Sequence, residues 1–411
     1  MIVSSKSMID RRQFLGGTLG MVAATSLQGA TAKPEPRQLV SPEFLRANVQ
    51  NLFERTGWSG FVATAPASTL YLSGANIITA RLIPDRLAVV FWPRDGEPAF
   101  LVATVEENQA RNESSIADVR TYPEFAESPI HLLAETMKER RVSSGPVGLE
   151  THHLVAHYYD ELREALPNVA WAPGDGQMER LRMVKTREEV ELYRRSALAT
   201  DRAIRTTFER SGPGTTEKEM ANTMASALLE NGADEVAFMV LAVGANTIDT
   251  HHLPGSYRAQ RGDVVHVDFG GSFSGYVTDV ARAAVIGRPT DEQERWYGYM
   301  WEGVNTLIEA VKPGVTVAEL YRLYQNTFGA WGLPTNRSLI GHSLGLIVHE
   351  YPILNATTDQ VIEPDMILSI ELAANANERE RFHVEDLIHV TENGAEILSR
   401  SAPWGDLFSI G

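Results

Sequence analysis

Asp268, Asp279, His342, Glu371 and Glu385 offer oxygen or imidazole donors in settings that suit a bound cation. Val264-Val265-His266-Val267-Asp268-Phe269-Gly270 is followed by Gly275-Tyr276-Val277-Thr278-Asp279-Val280-Ala281-Arg282. Both runs read as extended segments joined by a turn, and in a hairpin the two aspartates can converge. Taken alone, either aspartate equally suits a turn or the surface. His342 lies in the glycine-lined run Gly341–Glu350, with His349 seven residues on; glycine there permits close approach to a site. A lone histidine in such a run also serves as a hydrogen-bonded structural residue. Glu371 ends the apolar run Met366–Glu371 and Glu385 lies within Phe382–Asp386, with residues 376–380 as their turn. A glutamate inside an apolar strand is costly to bury unless it is paired or holds a cation. The bland alternative is an edge-strand glutamate facing water.

The elements that must position these groups are legible in outline. Four capping boxes open helices: Thr186/Glu189, Thr216/Glu219, Thr290/Gln293 and Thr316/Glu319. Gly232 and Gly332 fall just past two of them, and Pro313-Gly314 separates the other pair. Between them lie β-rich stretches at 235–243, 263–286 and 366–391, which predicts an α+β domain with helices packed on a mostly antiparallel sheet. No repeat is visible at residue level. Residues 41–175 mix elements: Phe44–Glu54 looks helical, Gly60–Thr64 extended, and Arg86–Trp92 and Ala99–Val105 are apolar runs joined by the turn Pro93–Pro98. This predicts a smaller α/β domain, with a boundary near 175–186 where Pro173-Gly174-Asp175-Gly176 interrupts the pattern.

With 411 residues the chain suits two domains. A formal net charge of −16 and the lack of any basic cluster argue against nucleic acid as a partner. With no cysteine, disulfides, thiolate ligands and a cysteine nucleophile are excluded, so metal chemistry falls to oxygen and imidazole donors. At the N-terminus, Arg11-Arg12-Gln13-Phe14-Leu15-Gly16 leads into an uncharged run and then Ala30-Thr31-Ala32. That arrangement resembles a twin-arginine export signal over residues 1–32, with a periplasmic or extracytoplasmic destination. The apolar stretch is too short and glycine-rich for stable membrane insertion.

On these residues the chain resembles the M24-type metallopeptidase family, which includes methionine aminopeptidase, aminopeptidase P and prolidase and has the creatinase-like pita-bread fold. The ligand order Asp…Asp…His…Glu…Glu matches Asp268, Asp279, His342, Glu371 and Glu385. Leu181–Glu189 is similar to the segment entering the catalytic domain of prolidases, and Tyr71-Leu72-Ser73-Gly74 to a phrase of their N-terminal domain. The resemblance implies a creatinase-like N-terminal domain at 41–175, a pita-bread catalytic domain at 180–402, and a homodimer. It further implies two divalent metal ions sharing one water, with Asp279 and Glu385 bridging, Asp268 on one ion and His342 with Glu371 on the other. Such a hard donor set suits Mn²⁺ and tolerates Co²⁺, Fe²⁺ or Zn²⁺. Glu371 is the candidate proton shuttle. His349 and His251 correspond to the family's non-ligand histidines that contact substrate; of the neighbours His251 and His252, the former has the family's spacing to Asp268.

Three departures concern the substrate. Proline-specific members carry Glu-Pro-Gly where this chain has Glu371-Leu372-Ala373, Arg where His383 stands, and His where Ser338 stands. The leading expectation is an exported Xaa-Pro peptidase of aminopeptidase P or prolidase type acting on short peptides. A creatinase-like or ectoine-hydrolase-like enzyme acting on a small amide or C–N substrate is the alternative, and an inactive binding module of the same fold is a third reading.

Overall fold

The structure is a computed structural model that describes residues 39–83 and 85–411. The export signal expected over residues 1–32 lies outside the described residues.

Short apolar runs make the first sheet. Strands β1 (Gly60–Ala63), β2 (Val89–Pro93), β3 (Ala99–Ala103), β4 (Asp118–Tyr122), β5 (Gly145–Leu149) and β6 (Val169–Pro173) order as β4-β3-β2-β1-β5-β6. Both β1–β2 and β2–β3 are antiparallel, so Pro93–Pro98 is the hairpin connection the sequence predicts. The remaining pairs are parallel. Alternation along each strand divides the side chains between two covered faces. Phe61, Val90, Trp92 and Phe100 meet Leu45, Leu52 and Phe53 of helix α1 (Pro42–Thr56). Val62, Val89, Phe91 and Leu101 meet the helices α5 (Pro129–Glu139) and α6 (Ala156–Ala165). Shorter helices α2 (Pro66–Ser73), α3 (Ile78–Leu82) and α4 (Glu107–Glu113) fill the connections.

At the interruption expected at Pro173–Gly176 a strand gives way directly to a helix. Pro173 ends β6, Gly174 caps the next helix, and α7 (Asp175–Met183) runs through the interval that includes residue 180. Gly174 is required because a Cβ there would meet Phe61 at 2.6 Å and the Leu149 backbone at 2.8 Å.

All four capping boxes form, with the threonine hydroxyl and the Glu or Gln side chain reciprocally bonded. They open α8 (Arg187–Arg210), α9 (Glu217–Glu230), α10 (Asp291–Ala310) and α11 (Val317–Ala330). Two five-stranded, mostly antiparallel sheets follow. One runs β16-β10-β8-β7, with β9 beside β8: β7 (Glu235–Val243), β8 (Val264–Phe273), β9 (Tyr276–Val277), β10 (Val280–Ile286) and β16 (Phe408–Ile410). The other is β12-β11-β13-β14-β15: β11 (Gly341–Ser343), β12 (Glu350–Ile353), β13 (Ile367–Asn375), β14 (Arg381–Val390) and β15 (Ala395–Ile397). Because β16 pairs with β10, the folded unit continues past residue 402, the end expected from the resemblance.

The absence of a repeat at residue level is a misreading that the backbone corrects. Pro213-Gly214-Thr215-Thr216-Glu217-Lys218-Glu219 and Pro313-Gly314-Val315-Thr316-Val317-Ala318-Glu319 share Pro-Gly-x-Thr-x-x-Glu. Each glycine has a positive φ, 89° and 92°. Thr216 bridges to Arg258 and Thr316 to Val361, and each helix start is bound by the same backbone pattern, Glu217 N–H to Tyr257 O and Val317 N–H to Gln360 O. Asp268 lies ten residues beyond the first bridge and Glu371 ten beyond the second. The chain thus builds one helix-pair-and-hairpin unit twice, and only the turn and cap chemistry kept its residues.

Arg282 ties the halves together. It is fully buried on β10 and bonds Asp201 of α8 at 3.0 Å, Asp386 of β14 at 2.8 Å and the Ser399 carbonyl at 2.7 Å. Its Nη1 also donates to the Glu385 carbonyl at 2.6 Å, which fixes the backbone of a candidate metal residue. Replacing Arg282 by Met removes the buried cation shared by Asp201 and Asp386, leaving Asp201 to Ser401 and Trp404 and Asp386 to Arg400 and Ser399, an effect of about 3–5 kcal/mol. Denaturant unfolding of Arg282→Met is expected to show that loss, against about 1 kcal/mol for the helix-cap change Thr316→Ala.

Candidate metal centre

Strand register brings the five residues together. Glu371 faces Glu385 directly across the β13–β14 ladder, and His342 on β11 pairs with Ser369 of β13. Asp268 on β8 pairs with Ala281, two residues after Asp279 at the entry to β10. β10 packs against β14, so the two sheets present their carboxylates to one basin. The glycines around His342 have steric causes. A Cβ on Gly341, at φ 149°, would meet the Ser369 carbonyl at 2.1 Å, and one on Gly345 would meet Glu350 at 2.5 Å.

Three overlapping groups have donor atoms all within 4.8 Å of one another: Asp268 with Asp279 and Glu385; His342 with Glu371 and Glu385; Asp279 with His342 and His349. Glu385 is common to the first two and Asp279 to the first and third. The bridging pair and the terminal residues implied by the resemblance are therefore neighbours in space. His349, expected as a non-ligand, also comes within ligating reach of Asp279 and His342, its ring centroid 4.1 Å from that of His342.

The donor atoms have the character a metal needs. His342 Nδ1 lies 3.0 Å from the Ser343 carbonyl, which it meets as a donor, leaving Nε2 as the free lone pair aimed at the carboxylates. Nε2 of His342 and Oδ1 of both Asp268 and Asp279 are buried without a hydrogen-bond partner among the described residues. Buried polar atoms of this kind are uncommon and call for a ligand. Ser369 Oγ holds Glu385 Oε1 in place.

Electrostatics divide the basin. Burial, followed by the charges of Asp279 and Glu385, pushes Asp268 well above the usual carboxylate range. Burial and then Glu385 raise Asp279 to about 7, against the opposing pull of His342. Despite burial, Asp279 and Glu385 hold His342 well above its ordinary value. Glu371 goes the other way: burial would raise it, but the hydrogen bond and charge of His383, followed by Arg337, bring it down to about 2. The contacts are His383 Nε2 at 3.1 Å and Arg337 Nη2 at 3.2 Å. A carboxylate so held is a weak base, so a proton-shuttle role requires one of those donors to yield.

Sequence reasoning passed over these supports. His383 figured only as a departure, yet its Nδ1 lies 3.2 Å from His266 Nε2, forming a chain from Glu371 to a fully buried imidazole. With Glu371 ionised, His383 donates to it from Nε2. The cost of a polar group in an apolar strand, applied to Glu371, would have flagged His266 and Arg282 as well. Arg337 lies outside the named elements and carried no such signal. Of the neighbouring histidines, His252 turns to Glu217 at 3.1 Å, whereas His251 is exposed and within electrostatic reach of His349 and His266.

Protons compete with cations for these atoms. Asp279 must be ionised and His342 neutral to coordinate a cation, so affinity for added Mn²⁺ is expected to rise with pH through about 7, where Asp279 titrates, and binding to release protons. Calorimetry in buffers of different ionisation heat measures both, and an affinity flat with pH would contradict the assignment.

Similarity to known proteins agrees with this geometry. Residues 191–392 match the metallopeptidase family M24, and residues 46–184 the creatinase/prolidase N-terminal domain. The probable dipeptidase PepE of Mycobacterium tuberculosis is 30% identical over 346 residues, covering 82% of this chain and 89% of that protein. The Xaa-Pro dipeptidase of Pyrococcus furiosus is 28% identical over 311 residues, 75% of this chain and 86% of its own. Among solved structures, dipeptidase PepE from Mycobacterium ulcerans superposes with a TM-score of 0.79 at 27% identity, covering 92% of this chain and all of that one. The Xaa-Pro dipeptidase from Bacillus anthracis gives 0.80 at 24% identity, covering 90% of this chain and 100% of its own. With a pita-bread catalytic half, a creatinase-type N-terminal domain and these relatives, the chain belongs to the metallopeptidase family M24.

Proposed function

We propose that this protein is a dinuclear-metal Xaa-Pro peptidase that cleaves short peptides. One observation carries the reading: four carboxylates and one imidazole converge in a buried basin, with three of their donor atoms lacking any partner among the described residues. The Xaa-Pro dipeptidases among the relatives support proline at the cleaved bond. The departures at Leu372, Ser338 and His383 leave all five candidate ligands in place. The similar proteins named above are peptidases or dipeptidases, which favours a peptide over a small C–N substrate.

Asp268, Asp279 and Glu385 would hold one ion, and Asp279, His342, Glu371 and Glu385 the other, a hard donor set best matched to Mn²⁺. Bound there, two divalent ions supply a nucleophile from water at neutral pH and polarise the scissile carbonyl. The chain's own residues do the rest. Ser369 orients Glu385, and Arg337 with His383 fixes the plane of Glu371, which would take up the proton lost by the attacking water as one of those donors yields. His349 and His251 stand at the exposed rim. Burial on its inner side, followed by the charge of His342, lowers the His349 pKa. Its neutral imidazole can donate a hydrogen bond to the oxygen that gains charge as the carbonyl becomes tetrahedral.

The test is hydrolysis of Xaa-Pro dipeptides, Xaa-Pro-Xaa tripeptides, non-proline peptides and small amides by Mn²⁺-loaded protein and by Asp268→Ala. Proline peptides are expected to be cleaved, and Asp268→Ala to lose about 10²-fold or more in kcat. Undiminished turnover by Asp268→Ala would sink the metal mechanism. The same proposal includes twin-arginine export, on the strength of Arg11-Arg12 and the run to Ala32. A chain with both arginines changed to lysine is expected in the cytoplasmic fraction, and export of that chain would refute the route.

A further inference from the structure

We propose that Arg381 anchors the substrate's free carboxylate, so that this site selects peptides ending one residue beyond the cleaved bond. The inference rests on the peptidase reading and adds to it the residue that reads peptide length.

Arg381, His383 and Glu385 occupy alternate positions of β14 and so share the face that lines the basin. Arg381 opens the strand opposite Asn375. Its backbone N–H is fixed by Thr247 Oγ1 at 3.2 Å, and its Nη1 donates to Asn375 Oδ1 at 3.1 Å. Nε is buried and has no hydrogen-bond partner among the described residues. Arg337, the other guanidinium at this wall, is fully engaged with the Leu339 and Ala373 carbonyls and Glu371. Arg381 therefore holds a donor still to be satisfied.

Charge points the same way. Four carboxylates match two divalent ions charge for charge, which leaves Arg337 and Arg381 as surplus positive charge on one wall. The surroundings register the crowding: burial, and next the repulsion of Arg337, lower the Arg381 pKa, while Glu371 and Asp268 attract it. A buried guanidinium N–H without an acceptor is unfavourable, and an arriving carboxylate relieves it through the planar fork geometry of arginine. Along a strand at roughly 3.3 Å per residue, Arg381 stands about 13 Å from Glu385 between Cα atoms. The arginine side chain covers part of that span, and what is left suits one residue after the scissile carbonyl rather than several. A peptide amide brings no anion to this position.

An Xaa-Pro dipeptide and its C-terminal amide, assayed with wild type, Arg381→Met and Arg381→Lys, test the assignment. Wild type is expected to prefer the free acid. In Arg381→Met, kcat/KM on the acid should fall roughly 10- to 100-fold, chiefly through KM, with the amide unaffected and Arg381→Lys in between. Calorimetric binding of proline and prolinamide gives a readout without turnover: Arg381→Met should weaken proline and leave prolinamide unchanged. An acid-to-amide ratio in Arg381→Met equal to that of wild type overturns the proposal. If wild type cleaves neither substrate, the peptidase reading fails, and proline binding alone decides: weakening in Arg381→Met supports the anchor, and equal binding refutes it.

Discussion

Confining four carboxylates in one buried basin is the constraint around which the catalytic half is built. Like charges at such range in a poorly solvated site repel strongly, and neutral forms become favoured. The raised positions of Asp268 and Asp279 express that tension. Where the fold supplies cationic or hydrogen-bonding partners, as Arg337 and His383 do for Glu371, the charge persists. Divalent cations held there would resolve the remainder. Such a site is costly for the protein alone and would be favourable with cations bound, a division that rigid β-strands can impose because their register restricts where the side chains can go.

Rigidity comes from two repeats of one unit and from a buried fastening between them. The same Pro-Gly-x-Thr-x-x-Glu turn joins the two helices of each pair, and each hairpin delivers two of the carboxylates. Arg282 crosses from one half to the other and holds the backbone at Glu385. A second fastening reaches the N-terminal domain. Arg182 of α7 bonds the fully buried Glu350 at 3.0 Å, and Glu350 accepts the Leu346 N–H at 3.1 Å. The loop bearing His349 is thus braced from α7, and Tyr193 of α8 reaches the Gly345 carbonyl at 3.2 Å. In this way the small domain contributes to the placement of a rim residue.

Much of this was legible in the sequence wherever local chemistry dictates structure. Capping boxes announce themselves because two residues three apart satisfy each other, and all four did. The strand at 235–243 and the Glu371–Glu385 hairpin followed from apolar runs with a turn between them. What escaped was non-local. Arg337 acts from outside any regular element, 34 residues before Glu371. The repeat hid because helix faces and strands tolerate any apolar residue, so only the strained glycine turns and caps kept their identities. Helix α7 was not legible because a glycine and an N-terminal acidic residue suit either a turn or a helix start.

We propose that Asp268, Asp279, His342, Glu371 and Glu385 hold two metal ions in one basin. Anomalous diffraction from crystals of Mn²⁺-loaded protein tests it most directly. Two peaks per chain are expected, one among Asp268, Asp279 and Glu385 and the other among Asp279, His342, Glu371 and Glu385. A basin without anomalous density, or manganese bound only elsewhere on the chain, would contradict it.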